Sequence, residues 1–257
     1  VQTYAAGESR MTTATTNDAS KGALRIRRLS IILLVLLPLS ALGTRFGLWP
    51  FTVGLLLLAV SMLGSLLIQI INAIWLYRKP AAGTKTALRY ASLFALPPLV
   101  LVAMVLRGDG TGGAAIHNIS TDLENPPQFV AAIEQRGENS NPLAYTPQIA
   151  AIQKAHFPAV SSLQSTLAPV DAFAQAVVTA QTMGWSIYAQ DQEAGRIEAV
   201  DTTFWFGFKD DIVIRIQATE NGSVIDLRSV SRVGRSDLGA NAQRILDYQA
   251  QFTDTLK

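Results

Sequence analysis

The sequence predicts an α+β protein in two parts: three amino-terminal transmembrane helices, then a two-layer domain with an antiparallel sheet and helices on one face. Three observations carry this expectation. Hydrophobic residues make up 49% of the chain and charged residues only 16%, too apolar for an ordinary soluble protein. Long apolar runs are confined to the first 106 residues. Beyond residue 184, four short period-two runs follow one another so closely that only hairpins can join them, which makes the sheet antiparallel. Charge divides at the same place, with ten Lys/Arg against two Asp/Glu in residues 1–106 and eleven against seventeen in residues 107–257. The basic half is thus the apolar half. The globular half is acidic and would repel a phosphate backbone, which argues against nucleic-acid binding. No cysteine is present, so disulfides, thiolate metal sites and thiol nucleophiles are excluded together.

Residues 1–23 are small and polar without apolar periodicity and are expected to form a disordered cytoplasmic tail, with Met11 an alternative start. A membrane domain is expected over 24–106, with apolar runs at Leu29–Thr44, Trp49–Tyr77 and Tyr90–Leu106. The first run lacks a small-x-small cleavage site and is followed by further spans, so it reads as a span and not as a secretory signal. Lys21, Arg25, Arg27 and Arg28 precede the first run, Arg45 alone follows it, and Arg78, Lys79, Lys85 and Arg89 follow the second. That alternation predicts a cytoplasmic amino terminus and, after three crossings, a carboxy-terminal domain on the other side. In a bacterium this is a multi-pass inner-membrane protein with a periplasmic domain. Ser61, Ser65, Gln69 and Asn72 fall on one helical face. Because the stripe holds no ionisable group, helix–helix hydrogen bonding is preferred to a solute path. Pro38 and the Pro97–Pro98 pair are expected to kink their spans.

A flexible linker and a mostly extended surface arm are expected over 107–162, with short helices near 128–135 and 146–155. The antiparallel-sheet domain is expected over 163–257. It opens with a strand around Ser162–Leu167, followed by an amphipathic helix Val170–Met183 that has Pro169 at its start and Gly184 at its end. Strands then follow at Trp185–Gln190, Arg196–Phe204, Asp211–Thr219 and Ser223–Val230, and a last helix at 238–254 for which Asp237 is the expected N-cap. Ile212, Ile214 and Ile216 share one face with Ile225 and Leu227 as counterparts, leaving Arg215, Asp226 and Arg228 for the other. Both long helices should cover the apolar face.

The densest chemistry lies in SVIDLRSVSRVGRSDLGANAQRI, residues 223–245, where Arg228, Arg232, Arg235 and Arg244 are expected to converge. Together with FGFKDDIVIRI, this stretch carries the Asp210–Asp211 pair and the run Arg228-Ser229-x-Ser231-Arg232-x-Gly234-x-Ser236-Asp237-x-Gly239-x-Asn241. The pattern, over about Leu163–Leu256, resembles the membrane-anchored members of a bacterial family, with relatives in photosynthetic lineages, known as domain of unknown function number fourteen ninety-nine. The resemblance implies a family and a domain boundary but no activity, and the cysteine-containing opening segment of many relatives is absent here.

Arg228, Ser229, Ser231, Arg232, Arg235, Ser236, Asp237 and Asn241 are the candidate anion- or partner-binding residues, with Asp210, Asp211 and Asp226 as supporting carboxylates. The competing reading, which the residues favour, is an internal network of ion pairs and caps. Asp210 and Asp211, adjacent on a strand, point to opposite faces and are poorly placed to share one proton or ion. His117 and His156 lack a third ligand partner, so no metal and no cofactor is expected. Ser229 and Ser231 have no assigned base and no nucleophile-elbow pattern around them. Phe204, Trp205, Phe206 and Phe208 form an aromatic loop suited to lipid headgroups or a partner protein. The preferred functional reading is a non-catalytic binding or assembly module of the envelope, whose partners are the lipid bilayer and another membrane or envelope protein. The alternative is a periplasmic hydrolase acting on an anionic lipid or cell-wall substrate.

Overall fold

A computed structural model describes residues 18–107 and 114–254, which fall into two compact units, Val1–Leu106 and Arg107–Lys257. Most of the expected tail, and residues 108–113 of the expected linker, lie outside the described residues.

Helix formation in the first unit begins inside the expected tail. Ser20 accepts a hydrogen bond from the Ala23 amide at 3.2 Å and caps α1, Lys21–Arg45. Helix α2 spans Phe51–Tyr77. The third apolar run starts earlier than expected, because Thr84, Lys85 and Arg89 belong to α3, Ala82–Phe94, which α4, Leu96–Arg107, continues after a break at Ala95. Pro97 and Pro98 explain the break, since neither can donate the amide that would carry the helical ladder past it. Three helical segments, Lys21–Arg45, Phe51–Tyr77 and Ala82–Met104, are long and apolar enough to cross a membrane. The polar stripe of α2 joins helices, as its composition suggests. Ser61 donates to the Leu33 carbonyl at 2.7 Å, Gln69 to that of Ser92 at 2.9 Å, and Asn72 to the Ser92 hydroxyl at 3.0 Å.

The second unit is an antiparallel sheet in the order β1-β6-β5-β4-β3, with β2 also paired to β6. Its strands are β1 (Asn118–Ser120), β2 (Leu163–Ser165), β3 (Ser186–Asp191), β4 (Arg196–Thr202), β5 (Lys209–Thr219) and β6 (Gly222–Ser231). Between them run α5 (Ala132–Gln135), α6 (Pro147–His156) and α7 (Pro169–Thr182), and α8 (Ala240–Asp254) closes the domain. Strand β1 pairs with residues 228–230 of β6 and β2 with residues 223–225, so the two short strands lie end to end along β6. Gly222, with φ +142°, permits the approach of the β2 segment, for a Cβ there would lie 2.2 Å from the Ser165 carbonyl oxygen.

As expected, α7 and α8 cover the apolar face. Phe173, Ala176 and Ala180 of α7, and Ile245, Tyr248 and Phe252 of α8, pack on Ile197, Ile212, Ile214, Ile225 and Leu227. Trp185 stacks on Tyr248 at 5.2 Å, and the Tyr248 hydroxyl donates to the Ala176 carbonyl at 3.0 Å.

The stretch expected to be a surface arm is instead woven into the domain. Asn118, Ile119 and Ser120 are fully buried, and Phe129 and Ala132 pack on Val213 and Val230 on the sheet's second face. Several of its polar residues, which read as solvent-facing, are internal hydrogen-bonding partners. The side-chain amide of Gln153 in α6, for example, takes both backbone groups of Ser120, at 3.0 and 2.6 Å.

Candidate functional site

Because successive strand residues point to opposite faces, the Arg-Ser-Val-Ser-Arg run of β6 is divided by the sheet itself. The four arginines expected to converge do not. Arg244 lies on the helix side, Arg228 and Arg232 on the arm side, and Arg235 in the loop after β6.

On the helix side, α8 sets Arg244 against two carboxylates, Asp210 at 2.6 Å and Asp201 at 2.9 Å. The same guanidinium donates to the Ser229 hydroxyl at 3.1 Å, and Ser229 donates in turn to Asn241 Oδ1 at 2.6 Å. Asn241 Nδ2 donates to the Ser231 hydroxyl at 2.9 Å and to the His117 carbonyl at 3.1 Å. Ser229 and Asn241 are fully buried, so both sides of each polar group are accounted for within the fold.

On the arm side, Arg232 meets Asp211 with two parallel hydrogen bonds, Nε–Oδ2 at 3.0 Å and Nη2–Oδ1 at 2.7 Å, and its third nitrogen reaches the Gln135 carbonyl. Arg136 donates to the same carboxylate from the other side. The hydrogen bond to Asp211 holds the Arg232 guanidinium above its ordinary value, whereas deeper burial lowers Arg136 despite the shared partner. Asp226 pairs with Arg215 at 2.7 Å and accepts from Thr121 at 2.8 Å. Arg215 bridges onward to Asp122 at 2.8 Å.

Arg228 differs from its neighbours. It forms no ion pair among the described residues. It donates to Asn118 Oδ1 and the Pro127 carbonyl, both at 3.1 Å, and to the Leu143 carbonyl, while Phe129 and Tyr145 flank it at 5.2 and 5.6 Å. Burial without a counter-charge pushes this guanidinium down to about 10, and burial pushes the Tyr145 phenol up to about 12. Arg228 is therefore a buried staple between β6 and the arm.

The loop beyond β6 holds the remaining candidates. Arg235 is exposed, and Ser236 donates to the Ala114 carbonyl at 2.9 Å. Asp237 does cap α8, but from further away than expected. Leu238 and Gly239 adopt left-handed conformations, with φ of 55° and 87°, so the helix begins at Ala240. The Asp237 carboxylate reaches over them to the Asn241 amide at 2.9 Å and also takes that of Gly239 at 3.0 Å. Those amides are occupied by Asp237 and not presented to an external anion.

Sequence reasoning missed Arg136, Asn118, Asn141 and Glu198. Glu198 is buried on the arm side of β4 and accepts from the amides of Val130, Ala131 and Ala132 at 2.8 to 3.0 Å. Its alternation with Ile197 and Ala199 was the available signal. Asn141 ties the arm to the loop after β6 through the Ser231 and Gly234 carbonyls at 3.0 and 2.7 Å. Among the described residues no group of three His, Asp or Glu side chains is placed to hold a metal.

No curated protein matches the chain. A family model described as Protein of unknown function (DUF1499) matches residues 118–252. It therefore begins at β1, earlier than the sequence resemblance suggested, and takes in the arm and the paired arginines and carboxylates described above. The match covers more than half of the chain, and the chain belongs to the DUF1499 family.

Proposed function

We propose that the chain is an envelope protein anchored by its three apolar helices, whose carboxy-terminal domain lies on the periplasmic side and serves as a non-catalytic binding or assembly module. The observation that supports a non-catalytic role is the engagement of the motif's reactive groups with one another. Asp210, Asp211 and Asp226 each accept from an arginine, and Ser229 sits between Arg244 and Asn241. A carboxylate held this way is a poor general base, and a serine hydroxyl donating to an amide oxygen has no base to activate it. The basic flanks of the spans support the sidedness.

Alkaline phosphatase fused after Lys257 is expected to be active, and a cytoplasmic reporter at the same site silent. The purified full chain, incubated with extracted membrane lipids and cell-wall fragments, is expected to release no new product by mass spectrometry. A product made by the wild type and lost in Asp210→Asn would replace this reading with the hydrolase.

A further inference from the structure

The two ends of the carboxy-terminal sheet differ in chemistry. The end formed by the β3–β4 and β5–β6 turns exposes Gln192, Glu193, Glu220 and Asn221, with Val170 as its large apolar side chain. The opposite end gathers the β4–β5 loop, the segment leaving β6 and the point where the chain comes into the domain. Arg232 N–H donates to the Lys209 carbonyl at 2.9 Å, and Ser236 Oγ to that of Ala114 at 2.9 Å. This second end exposes Phe204 at 70%, Trp205 at 55% and Leu238 at 64%, beside exposed Lys209 and Arg235.

The aromatic loop is built to hold its rings outward. Thr203 and Phe208 close it with backbone and hydroxyl hydrogen bonds of 2.8 and 2.9 Å, and Gly207 takes φ 68° to make the turn. Phe206 stacks on Phe208 at 5.1 Å and anchors the base, while Phe204 meets Trp205 edge-on at 5.3 Å. A preformed loop loses little entropy on docking. The acidic groups nearby are largely neutralised. Asp201, Asp210 and Asp211 are in ion pairs and Asp237 caps α8, while Glu138 of the adjoining 137–141 loop and Asp247, which shares a cleft with Asp201 and Arg244, remain exposed.

From this geometry we infer that the aromatic end of the domain is a docking surface for the headgroup layer of an anionic bilayer. Phe204, Trp205 and Leu238 enter the interface, and Lys209 and Arg235 meet lipid phosphates. Trp and Phe with flanking Lys and Arg are the residue types that the membrane–water interface accepts. Connectivity selects the bilayer over a soluble partner. Only six residues separate Arg107 from Ala114, a tether that spans no more than about 25 Å when fully extended. Two or three interfacial side chains bind a membrane weakly when free, but a short tether supplies a high effective concentration and makes a weak contact sufficient. The inference rests on the reading of the chain as membrane-anchored and is independent of which side the domain occupies.

The chain contains no cysteine, so a single introduced thiol can be labelled cleanly. Full-length Phe204→Cys and Glu220→Cys, each carrying an environment-sensitive fluorophore, are reconstituted in nanodiscs of phosphatidylcholine with or without phosphatidylglycerol. Spin-labelled lipid is expected to quench the label at position 204 about threefold more than the label at position 220 in anionic discs. Adding Lys209→Glu and Arg235→Glu should lower that quenching about threefold there, to the level at position 220, and leave neutral discs unchanged. Equal quenching at both positions overturns the inference. So does quenching at position 204 that appears only when solubilised native membrane proteins are included, which would assign the surface to a protein. A silent phosphatase fusion with position 204 still quenched would correct the sidedness and leave the docking surface standing.

Discussion

On the face turned to α7 and α8, β5 presents Ile212, Ile214 and Ile216; on the face turned to the arm, the residues alternating with them are Asp211, Val213 and Arg215. One strand thus closes two layers by opposite means. The helix side gains stability from apolar area removed from water, a force without direction. The arm side is closed by paired charges and amides, whose attraction is largely offset by the loss of hydration but which accept only one geometry. The contrast suggests that the helix layer supplies stability and the arm layer supplies register, holding an irregular segment in one place over the sheet.

The largest expected effect comes from the apolar side. Ile214→Ala should destabilise the domain by about 4 kcal/mol, because a fully buried position at the centre of a packed layer cannot relax into the space left. A urea unfolding curve that moved by less than a quarter of this would place the stabilising core elsewhere. Next comes Arg232→Glu, which sets a second carboxylate against Asp211 and leaves Arg136 as the remaining arginine paired with it, at an expected cost of about 3 kcal/mol. A reversed-charge variant that melts like the wild type would mean that the arm layer contributes nothing to cooperative unfolding.

The smallest effect tests the arm through pH. Partial burial pushes the Asp122 carboxyl upward, but hydrogen bonds from the Asn125 and Glu124 amides and from Arg215 outweigh it and hold the group below its ordinary value of 3.8. A carboxylate lowered on folding contributes stability that is complete above its unfolded value and is lost as pH falls through its folded one. Urea midpoints of the wild type should therefore drop below pH 3.8, and Asp122→Asn should flatten that acid limb while leaving the alkaline limb unchanged.

This difference between the faces also explains what could be read from the chain. Ile212, Ile214 and Ile216 announce a strand because burial on one side imposes a period of two, and α7 announces itself with Pro169 and Gly184 at its ends. The arm announces nothing. Thr121 binds Asp226 across 105 positions and Asn118 binds Arg228 across 110, and no local period records a partner that far away. The same distance hid the division of the site. Arg228 and Arg232 were legible as one face of β6, but Arg244 reaches the opposite face only because α8 crosses behind the sheet. Its start was misplaced by two residues, because nothing in Leu238 signals a left-handed conformation.

Gln153 carries a consequence for how copies of this protein meet. Strand β1 is a margin of the sheet, and an uncovered margin is a template on which a second chain can lay a strand. By occupying both backbone groups of Ser120, and itself being held by the Tyr145 hydroxyl at 2.7 Å, the Gln153 amide takes the place of the missing neighbour and ends the ladder there. For a protein confined to a membrane plane, where like molecules collide often and in similar orientations, a side chain that imitates a strand blocks polymerisation at this margin.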